Sequence, residues 1–364
     1  MKKIGIITLY GLFNYGNRLQ NYATHRVFQK LGFSVFSFAI KTERDGSVSR
    51  ITKAKYYFHK LFGFCFTHSE KDWKTRVKRS ISFEKFTKQF TPTIYIKDIN
   101  NLDKKADFFV VGSDQVWNPI WYKGFDEELF LLTFAKPEQR ICMAPSFGIN
   151  NFPSEYKEKF REQLSLFPYL SVREKQGMEI IKQLTGRYSD VVIDPTLMLD
   201  REEWLQISRR PLGVNIPQKY VFVYFLGIKS KKVVSDIDRI AIETDYTPLD
   251  FLNKDDSELY SLGPQEYIEF ISNASLIMTD SFHACVFSFL FDKPFVVYER
   301  EGEVPENYSR IDTFLNTFKI TTPSIDDFIS FRSNKIHDYS IGYNILETEK
   351  KKAFLFLEKS LGLI

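Results

Sequence analysis

The chain of 364 residues is long enough for two ordinary domains, since single cores rarely grow past roughly 250–300 residues. A formal net charge of +4 is too small at this length to argue for a nucleic-acid partner, and 43% hydrophobic with 26% charged residues speaks against a disordered or fibrous chain. The three cysteines, Cys65, Cys142 and Cys285, lie far apart without CxxC or zinc-ligand spacing, which argues against a disulfide framework and against a metal site.

Met1-Lys2-Lys3 precedes an apolar run, Ile4 to Leu9, that is too short for a signal-peptide core, and no run elsewhere reaches membrane-spanning length. A soluble, cytoplasmic protein is the expectation. Lys3 to Leu9 reads as a buried strand, and Gly11 to Asn17 as a loop. Leu19, Tyr22, Ala23, Val27 and Leu31 then recur at helical spacing, with Gly32 as the stop.

Phe33 to Ile40 is the next strand, completing a βαβ unit. Ile51 to Lys88 is dense in Lys, Arg and aromatic residues. A peripheral contact with an anionic membrane face and a solvated basic helix over an aromatic cluster both fit that stretch. Strands follow at 107–112, 140–147, 169–172 and 191–193, with helical segments between most of them, and this alternation predicts a parallel sheet covered on both faces.

Arg209 to Gln218 breaks the pattern and reads as an interdomain connection. A second series then has strands at 220–226, 274–278 and 294–298, separated by helices near 230–243, 264–272 and 282–291. The prediction is α/β: two Rossmann-like doubly wound domains facing across a cleft. Residues 1–210 form the N-terminal domain, with a basic aromatic insertion at about 51–90, and 219–340 form the C-terminal domain. Residues 341–364 form a helix that packs back on the N-terminal domain. Ligands of such folds lie beyond the carboxyl ends of the strands, so the loops there hold the candidate site.

Four segments qualify. Tyr10 to Arg18 follows the first strand and opens a helix, where backbone N–H groups favour an anion, and Gly11 and Gly16 permit close approach. Its Gly-x4-Gly spacing is neither a P-loop nor a dinucleotide fingerprint, and a plain strand-to-helix turn is the alternative. Asn14, Tyr15 and Gly16 are its candidate binding residues.

Val111 to Asn118 puts Ser113 and Asp114 at a strand end, either to hydrogen-bond a sugar with Trp117 or Trp121 as a stacking face, or as a turn over a packed tryptophan. Arg173 leaves the carboxyl end of a buried strand, suited to clamping a carboxylate or phosphate or to pairing with a nearby acid. In Thr279-Asp280-Ser281-Phe282-His283, Asp280 or Ser281 is a natural N-cap and His283 falls in the first helical turn. Of the five histidines, His283 alone occupies a catalytic kind of position.

Taken together, Asn14-Tyr15-Gly16 with Leu19-Gln20 and Tyr22-Ala23, then Val111 to Asn118, then Ser171, Arg173 and Glu174, then Asp194-Pro195-Thr196, then Thr279 to His283 resembles the polysaccharide pyruvyl transferase family. The resemblance spans residues 4 to about 300. Two positions depart from it: Asn17-Arg18 stands where many relatives carry Ala-Val, and Ala284 where many carry Gly after the histidine. Arg18 reads as an added anion contact or as an exposed helix residue.

The resemblance implies a glycosyltransferase-B-like pair of domains, acceptor on the N-terminal side and donor on the C-terminal side. It also implies transfer of the enolpyruvyl unit of phosphoenolpyruvate to hydroxyls of a sugar or lipid-linked oligosaccharide, with release of phosphate and no cofactor. By the same resemblance Arg173 binds the donor, and His283 is either the acid or a phosphate ligand. Asp280, Ser281 and, after a further strand, Arg310 complete the substrate contacts, with Asp114 toward the acceptor. A nucleotide-sugar glycosyltransferase of the same architecture and a non-catalytic glycan-binding homologue are the competing readings.

Overall fold

The structure is a computed structural model that describes residues 1–10, 13–40, 52, 68–301, 309–330 and 337–364. Gly11, most of the basic aromatic stretch (53–67, with Cys65) and Tyr308 lie outside the described residues.

The first buried runs form the strands β1 (Lys3–Ile7), β2 (Ser34–Ile40), β3 (Thr93–Ile96), β4 (Phe108–Asp114) and β5 (Arg140–Pro145). They associate in the order β3-β2-β1-β4-β5, every pair parallel. A short parallel pair, β6 (Ser171–Val172) with β7 (Asp190–Val191), follows. The second sheet comprises β8 (Tyr220–Tyr224), β9 (Thr247–Asp250), β10 (Leu276–Thr279) and β11 (Phe295–Val297), in the order β11-β10-β8-β9 and again parallel. Residues 209–218 between the two series carry neither helix nor strand. The architecture is the expected one, α/β with parallel sheets in two Rossmann-like domains.

Strands β3 and β9 were not anticipated. Both are edge strands, β3 with two exposed residues in its centre and β9 without a fully buried one, so neither carries the continuous apolar run that marks a central strand. In each sheet the chain leaves the first strand in opposite directions, so the switch points fall between β1 and β4 and between β8 and β10. Carboxyl ends at such points are where open α/β sheets bind ligands.

Helix Tyr15–Lys30 is buried along most of its length because it is sandwiched between the first sheet and the second domain. Tyr15 stacks on Tyr267 at 4.9 Å and donates its hydroxyl proton to the carbonyl of Leu262 at 2.9 Å. Trp204 meets Phe287 edge-on at 4.8 Å. Each fully buried aromatic contributes about 1.5–3 kcal/mol of transfer free energy, so this contact is a strong determinant of how the halves meet. The last helix, Ser340–Ser360, starts with Tyr343 stacked on Phe289 at 4.9 Å, and further along Lys350 Nζ reaches Asp200 Oδ1 at 2.5 Å. It therefore touches the C-terminal half before it reaches the N-terminal half.

Among the described residues no helix is long and apolar enough to cross a membrane.

Candidate active site

At the first switch point, Gly112 takes a φ of +112°, and a Cβ there would lie 2.3 Å from the carbonyl oxygen of Met143 on β5. Only glycine fits such a position. Beyond it Asp114 adopts the left-handed region (φ +67°), which aspartate tolerates better than most residues. The turn is held by Thr8 and Gln20, which also bond to each other. Gln20 Nε2 donates to Thr8 Oγ1 (2.7 Å), Thr8 Oγ1 donates to the Ser113 carbonyl (3.0 Å), and the Ser113 N–H donates to Gln20 Oε1 (3.1 Å).

Around this turn a buried ionic network assembles from both domains. Arg173, directly after β6, donates from Nη1 to Asp194 Oδ2 at 2.6 Å and from Nη2 to Asp114 Oδ1 at 3.3 Å. Its guanidinium lies 4.6 Å from the centre of the Phe282 ring. Arg310 comes from the second residue of helix Ser309–Phe318, a helical start rather than a strand end, and its Nη1 donates to the same Asp114 oxygen at 3.4 Å. Ser113 Oγ lies 2.9 Å from Asp194 Oδ2 and 2.8 Å from the Ala144 carbonyl. Thr196 gives Asp194 Oδ1 both its N–H (3.0 Å) and its hydroxyl (2.7 Å).

His283 enters from helix Phe282–Leu290, whose N-cap is Ser281. Its Nε2 is enclosed without a hydrogen-bond partner and faces Asp194 Oδ2 at 3.8 Å. On its other side the ring lies against Gly16, where a Cβ would come within 2.3 Å of Nδ1. Gly16 is needed here for closeness, not for backbone freedom.

Electrostatics follow from this packing. Burial opposes the charge on Asp114, but Arg173, His283 and Arg310 outweigh it and hold the carboxyl below its usual range. Asp194 is likewise penalised by burial, yet His283, Arg173 and Thr196 hold it far below that range. Burial pulls Arg173 down, and Asp194 and Asp114 more than restore it. Arg310 has less compensation: burial and the neighbouring Arg173 lower it to about 10, which leaves it cationic at neutral pH. Its Nε has no partner. The arrangement can receive an anion at Arg310 and hold an imidazole beside two ionised carboxylates.

Arg173, Ser113, Asp114, His283 and Arg310 thus converge. The other anticipated residues are placed differently. Asn14 is the N-cap of helix Tyr15–Lys30, accepting from the Asn17 N–H at 3.1 Å. Tyr15 is fully buried in the domain contact, where its ring is enclosed by other aromatics. The Asp280 carboxylate accepts from the N–H groups of Leu226 and Gly227, each at 2.7 Å, and from Arg300 Nε at 3.0 Å, so it fixes the loop after β8. Ser281 makes no side-chain cap bond, and its N–H donates to Thr279 Oγ1 at 3.0 Å.

Trp117 is not a stacking face. It is wholly buried against Phe147, with Nε1 donating to the Phe130 carbonyl at 3.1 Å. Arg18 is buried rather than exposed, 4.1 Å over the Tyr10 ring.

Two members of the network, Asp194 and Gln20, stand in the motif blocks that carry the resemblance but are given no role there. Apart from that block, the local pattern at Asp194, a lone acid between a short apolar strand and Pro195-Thr196, is shared by ordinary turns. Among the described residues no group of three His, Cys, Asp or Glu side chains is placed to hold a metal ion.

Solved structures similar to this chain include the UDP-GlcNAc 2-epimerase of Methanocaldococcus jannaschii in complex with UDP-GlcNAc and UDP, at 14% identity, covering 95% of this chain and 99% of that one, with a TM-score of 0.45. Another is the UDP-GlcNAc 2-epimerase of Neisseria meningitidis, at 11% identity, covering 99% and 100%, with a TM-score of 0.44. A third is Anabaena Alr3699/HepE in complex with UDP and glucose, at 11% identity, covering 100% of both chains, with a TM-score of 0.46. No curated protein sequence matches the chain. The family model described as polysaccharide pyruvyl transferase matches residues 14–302, a span that includes Gly16, the Ser113–Asp114 turn, Arg173, Asp194 and His283, and the chain belongs to that family.

Proposed function

We propose that this transferase moves the pyruvyl group of phosphoenolpyruvate onto two hydroxyls of a sugar, forming a pyruvate ketal and releasing phosphate. The observation that carries the reading is the convergence of Arg173, Arg310 and His283 on the adjoining buried carboxylates of Asp114 and Asp194. Phosphoenolpyruvate is a compact polyanion whose C2 must become electrophilic as C3 gains a proton. Such a donor calls for fixed cations and one proton-carrying group in a water-poor site.

In the overall reaction both C2–O bonds to the sugar form, and the C2–O bond to phosphate breaks. One of the two hydroxyl protons ends on C3 and the other on the departing phosphate, so the atoms balance without an oxidant or reductant. Arg310 is the cation most able to turn to the donor, because it holds Asp114 only at 3.4 Å and shares it with Arg173, whereas Arg173 is also held by Asp194 at 2.6 Å. In this reading Arg173 keeps the field positive from behind, and Asp114 is the contact for an acceptor hydroxyl. The acceptor is a sugar on a surface or exopolysaccharide precursor, free or lipid-linked, and the N-terminal domain is the side that receives it.

The test is product analysis with purified protein, phosphoenolpyruvate and a panel of glycan acceptors. Phosphate release coupled to a ketal on the glycan, seen by mass spectrometry, supports the reading. Nucleoside diphosphate release from a sugar nucleotide, with no phosphate from phosphoenolpyruvate, overturns it. Arg310→Gln is expected to raise the KM for phosphoenolpyruvate about tenfold or more, the loss of one charge-assisted contact.

A further inference from the structure

We infer that Asp194 and His283 form a carboxylate–imidazole dyad across the domain boundary, in which Asp194 is a positioning residue that keeps the proton on Nε2 and leaves Nδ1 as the working ring atom. The inference rests on the pyruvyl-transfer reading for its catalytic meaning, but its geometry stands apart from it.

Asp194 is held by groups other than His283. Thr196 engages one carboxylate oxygen twice, and Arg173 and Ser113 surround the other. The carboxylate is therefore held in one orientation, with Oδ2 aimed at Nε2. An ionised carboxylate only accepts and its negative field favours an N–H over a lone pair, so the nitrogen that faces it is the one that carries the hydrogen. No other acceptor competes for that hydrogen, since Nε2 is enclosed and has no partner of its own. In a neutral ring the lone pair then sits on Nδ1, the nitrogen beside Gly16 at the start of helix Tyr15–Lys30.

The separation of 3.8 Å is too long for a hydrogen bond and short enough for strong attraction once the ring is charged. The charged groups around the ring are Asp194 and Asp114 on the negative side, with Arg173 and Arg310 close by on the positive side. Asp194 faces Nε2, and the arginines are paired with the two carboxylates. The two partners come from different halves of the chain, so the dyad exists only while the domains are closed on each other.

The experiment is nitrogen-15 NMR of the imidazole rings in the full-length protein at a pH where they are neutral, with His283→Gln used to assign the resonances. The expected result is a His283 ring protonated on Nε2 and bare on Nδ1. A ring protonated on Nδ1, or an even mixture of tautomers, overturns the inference, and this measurement needs no substitution at Asp194. Asp194→Asn is expected to abolish the tautomer preference and to lower kcat by about 10²-fold. A folded Asp194→Asn protein that keeps the wild-type tautomer also overturns the inference. Failure to form a ketal from phosphoenolpyruvate, with the tautomer as expected, would count against the proposed reaction and leave the dyad in place.

Discussion

Gly16→Ala is the sharpest perturbation of this site. The added Cβ would lie 2.3 Å from Nδ1, 2.5 Å from Cγ and 2.7 Å from Cβ of His283. Carbon atoms in contact sit about 3.5–4.0 Å apart, so the helices carrying the two residues must separate by roughly 1 Å. Because the root of the side chain is touched as well as the ring, a swing of the imidazole cannot relieve the clash. Overpacking of this kind costs about 1–3 kcal/mol, offset by about 1 kcal/mol of improved helix propensity, so the net loss of stability is small. Activity responds more strongly, since a displacement of about 1 Å at a catalytic group costs about 10²-fold. The assay pairs kcat for ketal formation with the denaturant midpoint. An unchanged kcat would show that the close approach of these helices does not set the position of His283.

Other outcomes follow from the packing. His25 is wholly buried, Nε2 2.8 Å from Ser37 Oγ, and burial lowers it to about 3 from the ordinary 6.5. The unfolded chain then binds a proton that the folded chain refuses, so stability falls as pH drops below about 6.5, by about 2 kcal/mol at about pH 5. Urea midpoints across that range should lose this part of the slope in His25→Gln, and an unchanged slope would refute the assignment. Asp280→Ala removes the acceptor of two backbone N–H groups and Arg300, so it should destabilise the fold by about 3 kcal/mol, the cost of leaving buried donors unpaired. If instead it folds normally and raises only the KM for a substrate, Asp280 contacts ligand. Arg79 is buried among Phe13, Tyr15, Phe83 and Tyr260, with Nη1 on the Tyr15 hydroxyl at 2.7 Å and Nη2 on the Phe13 carbonyl at 2.8 Å. Arg79→Ala should lower the thermal midpoint and loosen the domain contact, seen as faster hydrogen exchange in helix Tyr15–Lys30. Unaltered exchange there would remove Arg79 from the contact.

The sequence by itself determined the elements that are buried on both sides. The apolar runs of β1, β2, β4, β5, β8 and β10 announce parallel strands because a covered sheet needs no polar face. The same reasoning located the strand ends, and with them Ser113, Asp114, Arg173 and His283. Local pattern says nothing about what meets across a fold, and there the tertiary structure decided. Asp194, Arg310 and Gln20 come from segments far apart in sequence, and only the closing of one domain on the other brings Arg310 within reach of Asp114, which Arg173 of the same domain already engages. Asn14, Tyr15 and Asp280 sit in motif positions that look like ligand contacts, and the structure also gives Asn14 Oδ1, the Tyr15 hydroxyl and the Asp280 carboxylate partners in a helix cap, a domain contact and a loop. A side chain's partner is fixed by long-range packing, whereas its backbone state is fixed mostly by its neighbours, and this is why the strands were legible and the network was not.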